Sequence, residues 1–150
     1  MEQEKLHQFI RRYEEIYFFA TRRISSIISE QVLDDMTSEQ YIVLRYLKNF
    51  GPCKASELAD ICDVNRSAIT GKIDRLVNKG YVNRTKREDD RRSVYLETTE
   101  KGDEVYQKGE IQIQEFVKSY LKELTEEELE QFIGIYEKIA TIIEKKHGGA

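Results

Sequence analysis

The sequence predicts a mainly α-helical chain: long amphipathic helices at both ends, two short helices around a tight turn near the middle, and a β hairpin after them. Three observations carry this. Apolar residues recur at positions 6, 9, 10, 13, 16, 17, 20, 24, 27 and 28, and again through residues 105–143, at the i, i+3, i+4 spacing of one helix face. The segment KASELADICDVNRSAITGKIDRLVNKG, residues 54–80, holds two shorter stripes separated by a three-residue turn, the pattern of a helix-turn-helix. From Tyr81 the period drops to two, so YVNRTK and VYLET read as strands joined by the charged loop REDDRRS. A charged hairpin directly after a helix-turn-helix is a wing. The expected fold class is therefore mainly α: a winged helix-turn-helix with long N- and C-terminal dimerisation helices and a two-stranded β wing.

The first stripe contains no Gly or Pro and predicts one helix of about 25 residues, longer than the globular norm. LDDMTSEQ interrupts it, and Thr37 with Gln40 forms a capping box for the helix SEQYIVLRYLKNF, which ends at Gly51-Pro52. KASELADICDV is a short helix with Leu58, Ala59 and Cys62 on one side. Asp63-Val64-Asn65 is the turn, and Asn65 is a good N-cap for the next helix. There Ile69, Ile73 and Leu76 form the buried stripe, Val77 lies at its margin, and Gly80 supplies the stop. After Gly102 a stripe from Val105 through Gly109, Ile113, Phe116 and Tyr120 to Leu124 gives another helix. TEEE at 125–128 caps a last one, with Leu129, Phe132, Ile133, Tyr136, Ile139 and Ile143 inward. The tail KKHGGA is expected to fray.

A chain of 150 residues is most economically one domain. The expected divisions are a dimerisation helix over 1–33, the winged helix-turn-helix over 34–100 and dimerisation helices over 101–150. No apolar run approaches a membrane span, and the acidic, amphipathic N-terminus lacks a signal-peptide core, so a cytoplasmic protein is expected. The terminal stripes expose more Ile, Tyr and Phe than a winged helix of about 60 residues could cover, well beyond the few hundred Å² of apolar patch that monomers tolerate. A two-fold dimer interleaving the terminal helices solves this. Folding back into a monomeric bundle is the alternative.

Net charge is −4, which by itself argues against a nucleic-acid partner. Residues 66–92, however, hold nine Lys/Arg against four Asp/Glu, a net of +5 that leaves −9 on the flanks. A basic centre between acidic arms is the distribution of a polyanion-binding module on an acidic scaffold. Cys53 and Cys62 read as buried small hydrophobes, with redox sensing as the alternative; their spacing and surroundings do not make a zinc site. There is no nucleophile–base pair, P-loop or dinucleotide fingerprint, so neither an enzyme nor a cofactor is expected.

From MTSEQYIVLRYL through ASELADICDVNRSAITGKIDRLVNKGYVNR to DDRRSVYLETTEKG, the chain resembles the MarR family of bacterial winged-helix regulators. The most specific part is the wing, where Asp90, Arg92, Leu96 and Thr99 fall on the pattern D-x-R-x-x-x-(V/L)-x-L-T; Thr98 stands where Leu is usual. The resemblance implies a homodimer on duplex DNA, usually a repressor released by a small molecule or oxidant. The physical reading agrees, since a helix fits the major groove and an arginine on a thin hairpin fits a narrow minor groove. The expected DNA-binding residues are Asn65, Arg66, Ser67, Thr70, Gly71, Asp74 and Arg75 on the recognition helix, and Arg84, Lys86, Asp90, Arg91 and Arg92 on the wing. Arg92 is the residue expected to insert, with Asp90 holding its guanidinium extended. Lys72, Arg84, Lys86 and Arg87 suit phosphate or solvent better than base edges.

Effectors in the family often sit between the dimer helices and the winged helix. By that analogy Tyr13, Tyr17, Phe18, Arg22 and Tyr41 are candidates for a small aromatic or lipophilic ligand, core packing being the alternative. The family's peroxide sensors carry their cysteine in the first helix, which has none here, and His7 and His147 alone cannot supply a zinc-sensor site. The rival of a different class is a helical protein–protein interaction module that docks through the winged helix; steep salt dependence of DNA binding separates the two.

Overall fold

The computed structural model describes residues 1–90 and 92–148. It divides into two compact units, Met1–Ile113 and Gln114–Ala150, the division falling inside one continuous helix. The first unit opens with α1, Gln3–Ile27, 25 residues long as the apolar period predicts. A π-type turn over Ile28–Val32 ends it, closed by the Leu33 N–H on the Ile28 carbonyl at 2.9 Å. The order continues with α2 (Ser38–Phe50), β1 (Cys53–Lys54), α3 (Ala55–Ile61), α4 (Arg66–Asn78), β2 (Val82–Lys86), β3 (Val94–Thr98) and α5 (Glu100–Leu121). The second unit holds the last turns of α5 and then α6 (Glu126–His147). Lys145, Lys146 and His147 are helical where the sequence predicts fraying, and the two lysines stand in the last turn, favourably placed at the negative end of the helix dipole.

The predicted caps form. Thr37 Oγ1 accepts the Gln40 N–H and the Gln40 amide oxygen accepts the Thr37 N–H, each at 3.2 Å. Thr125 and Glu128 do the same for α6. Asn65 Oδ1 accepts the Ala68 N–H at 2.8 Å and starts α4. In the turn before it Asp63 takes φ 56°, a left-handed conformation that Asp tolerates better than most residues.

The sheet has three strands in the order β1-β3-β2, all antiparallel, rather than the two expected. β1 pairs Cys53 with Leu96 and Lys54 with Tyr95. Two residues after Gly51-Pro52 are too few to show a period, so the sequence pattern could not reveal this strand. β2 and β3 pair from Val82↔Thr98 to Lys86↔Val94, so the wing loop starts after Lys86 and ends before Val94.

The core lies under α4. Leu44 from α2, Leu58 from α3, Ile69 and Leu76 from α4, Val82 from β2 and Leu96 from β3 are almost wholly buried. From α5 the buried residues are Gly102, Tyr106 and Gly109, so the inward face is centred on Tyr106 and not on Val105. Thr99 explains that rotation. Its hydroxyl donates to the Gly80 carbonyl at 2.6 Å and accepts the Gly102 N–H at 3.0 Å, while its own N–H donates to the Tyr81 carbonyl at 3.0 Å. α5 therefore starts pressed against the end of α4. Thr98, the departure from the usual Leu, donates to Asp103 Oδ1 at 2.6 Å and adds a second tether.

A Cβ at position 102 would overlap the Tyr81 carbonyl oxygen and lie 2.9 Å from the carbonyl carbon, both backbone atoms that cannot rotate away. Gly102→Ala is therefore expected to destabilise the protein by about 2 kcal/mol, the scale of an overpacked site. Thermal denaturation checks this; an unchanged midpoint would show that α5 shifts freely.

Candidate nucleic-acid interface

Burying Ile69, Ile73 and Leu76 sets the rotation of α4 about its own axis and turns Arg66, Ser67, Gly71, Asp74 and Arg75 to solvent. The Ser67 hydroxyl donates to Asn65 Oδ1 at 2.8 Å and the Thr70 hydroxyl to the Arg66 carbonyl at 2.7 Å, so the first turn is ordered by its own side chains. A Cβ added at Gly71 would meet nothing within 4 Å. The open space there is on the exposed face, where a close-approaching partner would use it.

Asp74 and Arg84 pair with each other, which joins α4 to β2. Both residues stand on the expected interface, but the ion pair gives them a structural part as well: it ties the wing to the recognition helix. Lys72 pairs with Glu39 of α2 at 3.7 Å. Lys79, though exposed, reaches the start of α2, donating to the Asp35 carbonyl and to Gln40 Oε1, each at 3.1 Å. Lys86 and Arg92 are exposed, as is Arg66. Arg91 lies outside the described residues.

The wing base is held by a cluster that the sequence reading did not find. Arg87 lies over the Tyr95 ring with its guanidinium carbon 4.2 Å from the centroid, and Lys54 Nζ stands 5.8 Å from the same centroid. Lys54 also pairs with Asp90 at 3.6 Å. Asp90 does not hold the Arg92 guanidinium as expected: no ion pair joins the two among the described residues. Its carboxylate takes the Ser93 hydroxyl and the Arg92 backbone N–H, and the Ser93 bond first, then the Lys54 ammonium, hold its pKa below the usual carboxylate value against some desolvation. The Asp90 carboxylate is turned to Lys54 at the wing base instead. Arg92 is thus left without a carboxylate partner among the described residues. The sequence does not mark Lys54, because the β1–β3 pairing that brings it under the wing involves too few residues to show a pattern.

The proposed effector residues divide. Tyr13 and Tyr17 stack with centroids 5.8 Å apart, and Phe18 meets Tyr17 edge-on at 5.6 Å; all three are exposed on α1. Tyr41 is not with them. It is buried in the core, stacked on Tyr106 at 5.5 Å, because α2 turns it toward α5. Arg22 instead lines a polar cleft of about 450 Å³ beside α4. Cys53 is buried and Cys62 half-buried, both free, and burial pushes both thiols above the ordinary value, so neither is poised as a thiolate. Among the described residues no group of His, Cys, Asp and Glu could hold a metal ion, and no helix is long and apolar enough to cross a membrane.

A solvent-facing helix after a tight turn, flanked by a braced basic hairpin, defines a winged helix-turn-helix DNA-binding protein. The MarR family profile matches residues 36–94. The HTH-type transcriptional repressor MdtR of Bacillus subtilis is 35% identical over 122 residues, 78% of this chain and 79% of that protein. The crystal structure of the YusO protein of Bacillus subtilis superposes with a TM-score of 0.67 at 30% identity, covering 94% of this chain and 99% of that one. A cysteine-to-serine mutant of Escherichia coli MarR in complex with operator DNA superposes with a TM-score of 0.76 over 89% of this chain and 97% of that one, at 24% identity. The chain belongs to the MarR family of DNA-binding transcriptional regulators, and it is not an enzyme.

The Asp90 cluster generates a pH prediction. A depressed carboxylate pKa means that the brace is intact at neutral pH and down through the ordinary value of 3.8, and is lost only as pH falls through the lower, folded-state value. Asp90→Asn should loosen the wing already at pH 7. Hydrogen exchange of amides 87–93 is expected to accelerate in the variant at pH 7 while the wild-type loop stays protected.

Proposed function

We propose that this protein is a sequence-specific regulator, a repressor, that binds a pseudo-palindromic double-stranded operator as a homodimer and is released by a small effector. The observation that carries the reading is the pairing of an open, polar α4 face with an exposed Arg92 on a wing whose Asp90 is engaged by Lys54. The first turns of α4 enter the major groove, where Arg66, Ser67 and Thr70 meet base edges. Arg92 enters the adjacent minor groove, and Lys86 and Arg75 meet phosphates. MdtR, the relative described above, is named a repressor, and the Escherichia coli MarR structure holds operator DNA, which supports both parts of the reading.

Dimerisation follows from the uncovered apolar surface. Phe9, Tyr13, Ile16, Phe18 and Phe19 of α1 are exposed, and in the second unit so are Phe132, Ile133, Tyr136 and Ile143. Water-facing stripes of that size need a second copy. The dimer sets the distance between the two recognition helices, which must be about 34 Å to meet successive major grooves on one face of DNA. An aromatic or lipophilic effector beside Tyr13, Tyr17 and Phe18 would act by changing that distance. A cytoplasmic location accords with that role.

Binding is tested by sequencing the genomic fragments that the purified protein retains and measuring affinity for the enriched site. Arg92→Ala should cost roughly 10- to 100-fold, about 1.4 to 2.7 kcal/mol, with an unchanged thermal midpoint. Unchanged affinity at physiological salt would remove the wing from recognition. Gly71→Ala should stabilise the free protein by up to about 1 kcal/mol, since a helix interior favours Ala and the space is open, yet weaken operator binding. Sedimentation of the full-length chain as a monomer at micromolar concentration would overturn the dimer.

A further inference from the structure

α4 has two exposed flanks, and they face different things. One carries Thr70 and Asp74 and faces the wing, through the Asp74–Arg84 ion pair and a small depression shared with Val94. The other carries Lys72 and Arg75 and faces the 450 Å³ cleft, whose opposite walls are the C-terminal half of α1 and the first turn of α2. Arg22, Ser25 and Ser26 of α1 and Ser29 of the π-type turn line one wall at i, i+3, i+4 and i+7, a polar stripe opposite the apolar one at 24, 27 and 28. This wall is built. The Ser38 N–H donates to Ser29 Oγ at 2.9 Å, the Ser29 hydroxyl donates to Ser38 Oγ at 3.0 Å, and Ser25 Oγ lies 3.0 Å from Ser38 Oγ.

The charges in the cleft are unbalanced. Among the described residues Glu39 is its one carboxylate, and Lys72 pairs with it. Arg22 and Arg75 have no ion-pair partner among the described residues, so two guanidinium groups, from helices far apart in sequence, line one polar space whose single carboxylate is taken by Lys72. No aromatic residue among those described lines it, which sets it apart from the Tyr13–Tyr17–Phe18 cluster and from an apolar ligand.

We propose that this cleft seats a backbone phosphate of the duplex that α4 reads, with Arg22 donating to it alongside Arg75, so that the long N-terminal helix itself touches DNA. The proposal rests on the DNA-binding reading above and adds a contact to it. A helix with its side chains is roughly 10–12 Å across and the major groove is about 12 Å wide, so a helix lying in the groove presents its flanks to the two phosphate rims. The wing takes the rim on the Thr70 and Asp74 side. On the Arg75 side the protein surface is this cleft, and paired guanidinium forks are the side chains that bind phosphate oxygens most specifically.

The test uses the full-length protein and a 30-base-pair duplex of mixed sequence, with affinity measured by fluorescence anisotropy from about 50 to 200 mM salt. Each phosphate contact contributes about 0.9 to the slope of log K against log salt. Arg22→Ala is expected to lower the slope by about 0.9 for every seat engaged and to weaken binding several-fold at 100 mM salt, without moving the thermal midpoint. Arg22→Lys should keep most of the slope, and Arg23→Ala, the same charge change one residue along α1 and outside the cleft, should change it much less. Equal effects of Arg22→Ala and Arg23→Ala would mean net charge alone acts, and an unchanged Arg22→Ala slope would remove the contact; either result overturns the seat while leaving DNA binding in place. Arg22-dependent binding of inorganic phosphate to the DNA-free protein, with the DNA slope unaltered, would assign the cleft to a small anion and also overturn it. A wild-type protein that retains no duplex at all would sink the DNA-binding reading first, and the seat with it.

Discussion

Ile69, Ile73 and Leu76 must be out of water, and almost everything else in the first unit is positioned by how they get there. Their burial under Leu44, Leu58 and Leu96 leaves α4 one rotational setting. That setting turns Arg66, Ser67 and Gly71 outward, places Asp74 where it can reach Arg84, and puts Lys72 and Arg75 on the cleft side. A slip of α4 by one residue would rotate all of these by about 100° and scatter them. Three buried aliphatic side chains thus aim the polar ones. The tight contact of Gly102 with Tyr81 extends the same logic to α5, because it ties the start of that helix to the loop leaving α4.

The acids around this framework do a consistent job. Asp74, Asp90 and Glu39 each engage a cation that belongs to a different element: Arg84 of β2, Lys54 of β1 and Lys72 of α4. Exposed pairs of this kind contribute little stability. Their effect is to hold flexible side chains and the wing loop in one arrangement, and to decide which arginines stay open. A basic segment in which every cation were paired would have no charge left for a polyanion. One in which none were paired would lack a fixed shape, and a rigid array is what limits the entropy lost on binding.

Thr98 shows how a departure from a family pattern is absorbed. A Leu at the end of β3 would pack inward, whereas the threonine hydroxyl donates to Asp103 in the first turn of α5, and Asp103 also meets Lys48 of α2 at 3.1 Å. The Thr98 bond, with Lys48 behind it, keeps the Asp103 carboxyl below its ordinary pKa. A polar tether from sheet to helix stands where an apolar contact would otherwise have been.

The helices, their caps and the identity of the inward-facing residues of α4 were legible from the sequence because each depends on neighbours three or four positions away. Asn65, Thr37 and Thr125 cap as read, and the basic centre stands out against acidic flanks in the residue order alone. The wing pattern around Arg92 was likewise legible. Contacts between distant segments were not. β1 is two residues long and exists through its pairing with β3, so Lys54 could not be placed beneath Asp90 or beside Tyr95 beforehand. Tyr41 looked like a companion of Tyr13 and Tyr17, and the packing of α2 on α5 buried it against Tyr106 instead. In the sequence Arg22 groups with those aromatics, yet the serine network that fixes α1 on α2 turns it to the cleft shared with Arg75. The physical reason is the range of the forces: periodicity and capping act within a turn or two of chain, while which charges meet depends on how elements separated by tens of residues pack.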